Sequence, residues 1–110
     1  EPSIMLTGPI PATQKALQRS GLALANIGAF EVNEAFATVP LAWQREFGVD
    51  PALLNPCGGA IALGHPLGGS GARITTTLLH HMREKGIWYG LQTMCEGGGQ
   101  ANATIFELLP

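Results

Sequence analysis

Glycine placement constrains this chain more than any other feature. Most of its 15 glycines fall between Gly58 and Gly99. That stretch must be built around tight backbone turns that residues with a Cβ make poorly. Its densest part, Asn55 to Gly71, is long and reads as a loop. Elsewhere the apolar residues recur with regular spacing. Ala72 to Lys85 predicts a helix, because Ile74, Leu78 and Met82 line one stripe and Gly86 stops it. Tyr89 to Cys95 and Ala101 to Leu108 read as strands, joined as a hairpin through Glu96-Gly97-Gly98-Gly99-Gln100.

The first half is less regular. Gly8-Pro9-Ile10-Pro11 reads as a turn, with Pro11 suited to the first position of a helix over Ala12 to Ser20, ended by Gly21. Ala29 to Val32, bounded by Gly28, suits a buried strand. From Ala35 to Phe47 the pattern turns helical, with Phe36, Val39, Trp43 and Phe47 at three- and four-residue spacing. Pro40 interrupts it, and costs least in the first turn or at a kink. The order helix, strand, helix, glycine loop, helix, strand, strand predicts an α/β fold. It is expected to be a layered sheet with helices and a terminal antiparallel strand pair. A strand before the first helix is expected to be missing, or reduced to Ile4-Met5-Leu6.

Size and charge narrow the function. A chain of 110 residues suits one domain, spanning 1–110, around one core. With 45% hydrophobic and 13% charged residues it is too apolar for a disordered tail. A net charge of −2, with the lysines and arginines scattered, gives nothing that would draw nucleic acid or an anionic membrane. No apolar run approaches the roughly 20 residues of a membrane span. Cys57 and Cys95 form neither a disulfide framework nor a CxxC pair. A reducing compartment, the cytoplasm or an organelle matrix, is the expected setting. The chain opens with Glu1-Pro2, so the lack of a visible targeting segment carries no weight.

Three constellations can carry chemistry. In Gly64-His65-Pro66-Leu67-Gly68, Pro66 pushes His65 away from helical geometry, and flanking glycines leave the imidazole open to substrate. Histidine is the side chain best matched to proton transfer near neutral pH; a packed or surface loop histidine is the plainer alternative. Cys95-Glu96-Gly97-Gly98-Gly99 sets a thiol beside backbone N–H groups that can converge on an anion. That thiol, ordinarily of pKa ~8.5, can serve as an acid or base if its site lowers the value modestly. Otherwise Cys95 is a buried apolar residue before a turn. In Asn33-Glu34-Ala35-Phe36, Asn33 can cap the following helix or present its amide to a water or carbonyl. Glu34 can complement that helix's dipole from its first turn, and Phe36 is a candidate for the core.

Weaker signals were also weighed. Gly68-Gly69-Ser70-Gly71 precedes a helix but lacks the lysine of a P-loop. His80 and His81 diverge on their helix and suit the surface. Cys57, His65 and Cys95 match no standard zinc spacing, and no metal is expected.

Taken together the motifs resemble one family. The run from Asn55 to Arg73 is similar to the histidine signature of thiolases, Cys95 to Gln100 to their C-terminal cysteine motif, and Asn33 to Phe36 to their NEAF motif. Similarity extends across nearly all of the chain. The resemblance implies the C-terminal half of an acyltransferase that makes or breaks 3-ketoacyl-CoA thioesters. By it, His65 activates a nucleophilic cysteine and helps hold the thioester oxygen. Cys95 moves a proton at the acetyl α-carbon or the CoA thiol. Asn33 positions a water in the enolate's oxyanion hole, and the Gly97 N–H serves the hole for the tetrahedral intermediate. Phe36 lies near the pantetheine tunnel. Coenzyme A or acetyl-CoA is implied as substrate, with no permanently bound cofactor, and a homo-oligomer is implied for the full protein.

One part of the family pattern is absent. The family nucleophile lies in an N-terminal half with no counterpart here, and basic residues for the CoA phosphates are missing too. The isolated chain is therefore expected to lack thiolase activity. Two other classes remain open: a non-catalytic thiolase-like binding or assembly module, and a thiol-redox protein using Cys57 and Cys95.

Overall fold

The computed structural model describes residues 2–110. In chain order its elements are α1 (Pro9–Ser20), β1 (Ala29–Val32), α2 (Thr38–Phe47), α3 (Ala60–Leu63), α4 (Ser70–Lys85), β2 (Tyr89–Glu96) and β3 (Gln100–Glu107). The short β1 is buried along its whole length, as a strand covered on both faces must be. It pairs parallel with β2, Ala29 opposite Gly90 and Val32 opposite Thr93. A parallel pair needs a long crossover, and the segment from α2 to α4 supplies it. β2 then pairs antiparallel with β3, from Tyr89 opposite Glu107 to Glu96 opposite Gln100. The sheet order is β1-β2-β3.

Alternation along the strands divides the core in two. Ala29 packs with Leu78 and Met82 of α4. Phe30 and Val32 face the other way, onto Val39 and Trp43 of α2, with Ile10 and Leu17 of α1 beside them. Helices therefore cover both faces, the layered α/β arrangement expected from the order of elements. On α4 the stripe Ile74, Leu78 and Met82 is buried throughout. Its closeness to the sheet depends on Gly90. A Cβ there would lie 2.5 Å from Met82 Sδ and 3.0 Å from Leu78 Cδ1. On the opposite face Trp43 stacks on Phe30 with ring centroids 5.1 Å apart. Its indole Nε1–H donates to the buried Thr13 Oγ1 at 2.9 Å, locking α2 to α1. Burying a side chain of this size contributes ~1.5–3 kcal/mol, so a core on both faces fixes where the strands end.

Of the two alternatives for the strand before the first helix, Ile4-Met5-Leu6 forms none: Pro2–Ile4 is a turn of 3₁₀ helix, and Leu6 adopts φ 76°. The structure departs from the sequence-based expectations in the helices. The first helix starts earlier, at Pro9, since a proline lacks only an N–H that the first turn leaves unpaired anyway. The second starts later, at Thr38, which puts Pro40 in its first turn, the cheap placement. Finally, the glycine-rich passage is not all loop, because it contains the single turn α3.

Candidate active site at the carboxyl end of the strands

In open α/β sheets the crevice beyond the carboxyl ends of parallel strands is where ligands bind. Here β1 and β2 end side by side, and their ladder continues for one more bond, from Asn33 N–H to Thr93 O at 3.0 Å. α4 runs back against the strands, so its first turn arrives at this same end. Gly71 lies next to Met94, a Cβ there falling 3.8 Å from Met94 Cε. The loop before α4, the residues after β1 and the β2–β3 turn thus all lie at the same end of the sheet. Those three segments carry His65, Asn33, and Cys95 with Gly97.

Asn33 is only 2% exposed, and neither Oδ1 nor Nδ2 has a hydrogen-bond partner among the described residues. The capping role expected as one possibility is excluded, because α2 is preceded by Ala37 and begins at Thr38. A buried amide left unpaired costs ~1–3 kcal/mol. Asn33 is held here by its ladder bond, at the expense of its side chain.

Glu34 also differs from expectation. It lies outside the first turn of α2 and reaches across to α3, where Oε1 accepts from the Ile61 N–H at 3.1 Å. A carboxylate at a helix start is favourable, but the helix is the one ahead of His65. Gly59 makes room for it, since a Cβ there would sit 2.1 Å from the Glu34 carboxyl. Asn55 completes the anchor. Its side chain accepts from Val32 N–H at 2.8 Å and donates to Val32 O at 2.9 Å and to Glu34 Oε2 at 3.3 Å. It thus acts as one residue of an added strand along β1. Neither anchoring role was foreseen. The signal was an acid in the shortest motif and an amide opening the longest.

His65 is exposed. Gly64 before it takes φ 101°, ψ 159°, a region open essentially to glycine alone, and this turns the chain out of α3. The imidazole Nδ1 is hydrogen-bonded to Ser70 Oγ. Ser70 is buried, and its hydroxyl donates to Pro66 O at 3.1 Å.

Cys95 is half-buried against the core cluster of Phe30, Val32 and Leu91. Burial pushes its thiol above the ordinary value; its own backbone opposes this weakly and Glu96 adds to it. That is opposite to the lowering expected of a base. The alternation places Cys95 on the α1–α2 face and Asn33 on the α4 face, so they reach the edge from opposite sides. Among the described residues no hydrogen bond joins His65, Cys95 and Asn33 to one another. Gly97 is exposed in the turn, followed by Gly98 and Gly99 at φ 80° and 75°. Phe36 is 64% exposed, outside the core it was a candidate for.

Two further groups sit behind this edge. Glu31, on β1, is 1% exposed and was passed over in the sequence despite standing in a buried strand. Burial pushes its carboxyl up to about 7; Arg73 draws it down and Glu34 raises it further. Arg73 comes from α4, and its guanidinium nitrogens, like Glu31 Oε1, are buried with no hydrogen-bond partner among the described residues.

The other candidates lie apart. Cys57 is exposed, with Sγ 3.4 Å from His81 Nδ1, and both cysteines are free thiols. No three His, Cys, Asp or Glu residues among those described converge closely enough to hold a metal ion. No helix among them is long and apolar enough to cross a membrane.

Known proteins share this arrangement. The sequence pattern described as thiolase, C-terminal domain, matches residues 1–108. A steroid 3-ketoacyl-CoA thiolase of Mycobacterium tuberculosis is 60% identical over 109 residues, which cover 99% of this chain and 27% of the relative. A 3-ketoacyl-CoA thiolase of Yersinia pestis is 56% identical over 112 residues, covering 99% and 29%. The crystal structure of human mitochondrial 3-ketoacyl-CoA thiolase in complex with CoA superposes with a TM-score of 0.96 at 49% identity, over all of this chain and 28% of that one. The chain therefore spans less than a third of the length of the relatives it matches.

Proposed function

This chain belongs to the thiolase family, as a C-terminal domain, and from that premise we propose that it supplies half the active site of an acyltransferase acting on 3-ketoacyl-CoA thioesters. The observation that supports this reading is that the three segments bearing His65, Asn33, and Cys95 with Gly97 lie at the same end of a parallel strand pair. In the thiolytic direction His65 takes the proton of a nucleophilic cysteine borne by the remainder of the protein. The thiolate attacks the 3-keto carbonyl, and the Gly97 N–H donates to the resulting oxyanion. The bond between carbons 2 and 3 breaks, leaving an acyl-cysteine and the enolate of acetyl-CoA. Cys95 protonates the enolate α-carbon, while a water held by the Asn33 amide stabilises its oxygen. The CoA thiol then gives its proton to the Cys95 thiolate and takes the acyl group, and His65 returns its proton to the released cysteine thiolate, restoring the enzyme. Condensation is the same sequence reversed.

Two local features support these roles. Burial of Cys95 keeps its thiol protonated until an enolate is there to receive the proton, which suits an acid better than a standing base. The buried, unpaired amide of Asn33 is preorganised for an oxygen ligand, and one such aimed donor is worth ~3–4 kcal/mol in the transition state. Phe36, Ile61, Leu63 and Leu67 are 64, 68, 52 and 91% exposed; we assign them to the pantetheine arm and to the rest of the longer protein. CoA is a substrate in this scheme and not a resident group. The test is thiolysis of a 3-ketoacyl-CoA by the full-length protein. Turnover is expected in the parent, about 10²–10⁴-fold less in His65→Asn, and none from the isolated chain. Near-normal turnover by His65→Asn would refute the assignment.

A further inference from the structure

The contact between His65 and Ser70 decides more than where the ring sits. Ser70 is the first residue of α4 and is 4% exposed, so no bulk water competes for its hydroxyl. A hydroxyl carries one proton and two lone pairs. The proton goes to Pro66 O, 3.1 Å away, and a carbonyl oxygen can only accept. What Ser70 Oγ offers His65 Nδ1 is therefore a lone pair, and Nδ1 must carry a hydrogen to use it. In a neutral imidazole that leaves Nε2 unprotonated.

We propose that Ser70 is a positioning residue that holds neutral His65 in its Nδ1–H form, with the Nε2 lone pair turned toward the incoming nucleophile. The inference rests on the function proposed above, in which His65 accepts the proton of a thiol. With the opposite tautomer, Nε2 would be a donor and could not accept that proton. The six-residue segment from His65 to Ser70 is built for this task. The Gly69 and Ser70 N–H groups both donate to Pro66 O at 3.0 Å, holding that carbonyl beside the serine hydroxyl. Gly68 at φ 77° closes the loop. A hydroxyl orients the ring here without placing a carboxylate's negative charge beside it.

The test uses the full-length protein labelled with ¹⁵N at histidine. Two-dimensional NMR of the imidazole distinguishes the tautomers directly. The parent is expected to show His65 Nδ1 protonated and Nε2 bare. Ser70→Ala is expected to move the ring toward the Nε2–H form and to lower kcat about 10- to 100-fold, with the KM for acyl-CoA unchanged. Ser70→Thr keeps the hydroxyl and is expected to restore the tautomer and most of kcat. An Nε2-protonated ring in the parent, or Ser70→Ala turning over within twofold of it, would overturn the proposal. The parent spectrum and Ser70→Thr decide the matter even where Ser70→Ala does not fold. Failure of the wider reading looks different: the Nδ1–H form would be present, but the parent would cleave no 3-ketoacyl-CoA.

Discussion

The two ends of the contact between α4 and β1 are built on opposite principles. At one end Ala29, Leu78 and Met82 pack tightly, with Gly90 admitting the helix close to the sheet. At the other end, one or two turns along the same helix, Glu31 and Asn33 are just as buried, and they and the half-buried Arg73 carry buried polar atoms with no partner among the described residues. The first end follows the ordinary rule of a close-packed interior. The second breaks the rule that buried polar groups are hydrogen-bonded, and it does so directly behind the edge where His65 and Cys95 stand. The lesson is that one helix and one strand can divide their labour along their length. Leu78 and Met82 hold the sheet, so that Asn33 can be kept where it is locally unfavourable.

Substitutions at the two ends should therefore separate stability from turnover. Leu78→Ala, at a site with no exposure, is expected to cost about 3–4 kcal/mol of stability. The readout is a lower urea midpoint, with kcat little changed in whatever remains folded. Asn33→Ala should do the reverse. Its kcat is expected to fall about 10²–10³-fold, while the urea midpoint holds or rises because an unpaired amide has gone. If both variants lost stability equally, the distinction between the ends would collapse.

Glu31 sharpens the comparison through pH. A carboxyl whose folded value is pushed up to about 7 from 4.5 binds its proton more tightly folded than unfolded. Stability should then be greatest below pH ~4.5, decline as pH rises to about 7, and level off above. The decline is on the order of 3 kcal/mol. Glu31→Gln should flatten it, and a slope that persists in that variant would place its source elsewhere. The smallest effect is expected at Cys57, whose contact with His81 is exposed. Cys57→Ser should change stability by no more than ~0.5 kcal/mol and leave kcat unaltered. A large loss of turnover there would revive a role for the second thiol.

The sequence made the stable end legible and left the other partly dark. β1 was bounded to the residue, α4 was found from its stripe, and the β2–β3 hairpin from its glycines, because each is specified by local spacing. The motifs likewise named His65, Cys95 and Asn33. What stayed hidden was joined across long separations: Glu34 to Ile61, Asn55 to Val32, Arg73 toward Glu31. No local pattern encodes which helix a carboxylate will cap. A cap was one of two readings of Asn33, because an amide before a helical pattern is often one; the intervening turn at 35–37 removed that option. Glu31 went unweighed although its strand read as buried, because the helical covers on both faces that make it interior are set by distant segments.

The most direct test of the carboxyl edge as a proton-transfer site is exchange of the acetyl-CoA methyl protons in D₂O, followed by proton NMR with the full-length protein. Washout of the methyl signal by the parent and its loss, about 10²-fold or more, in Cys95→Ser is the predicted result. Undiminished washout in Cys95→Ser would contradict it.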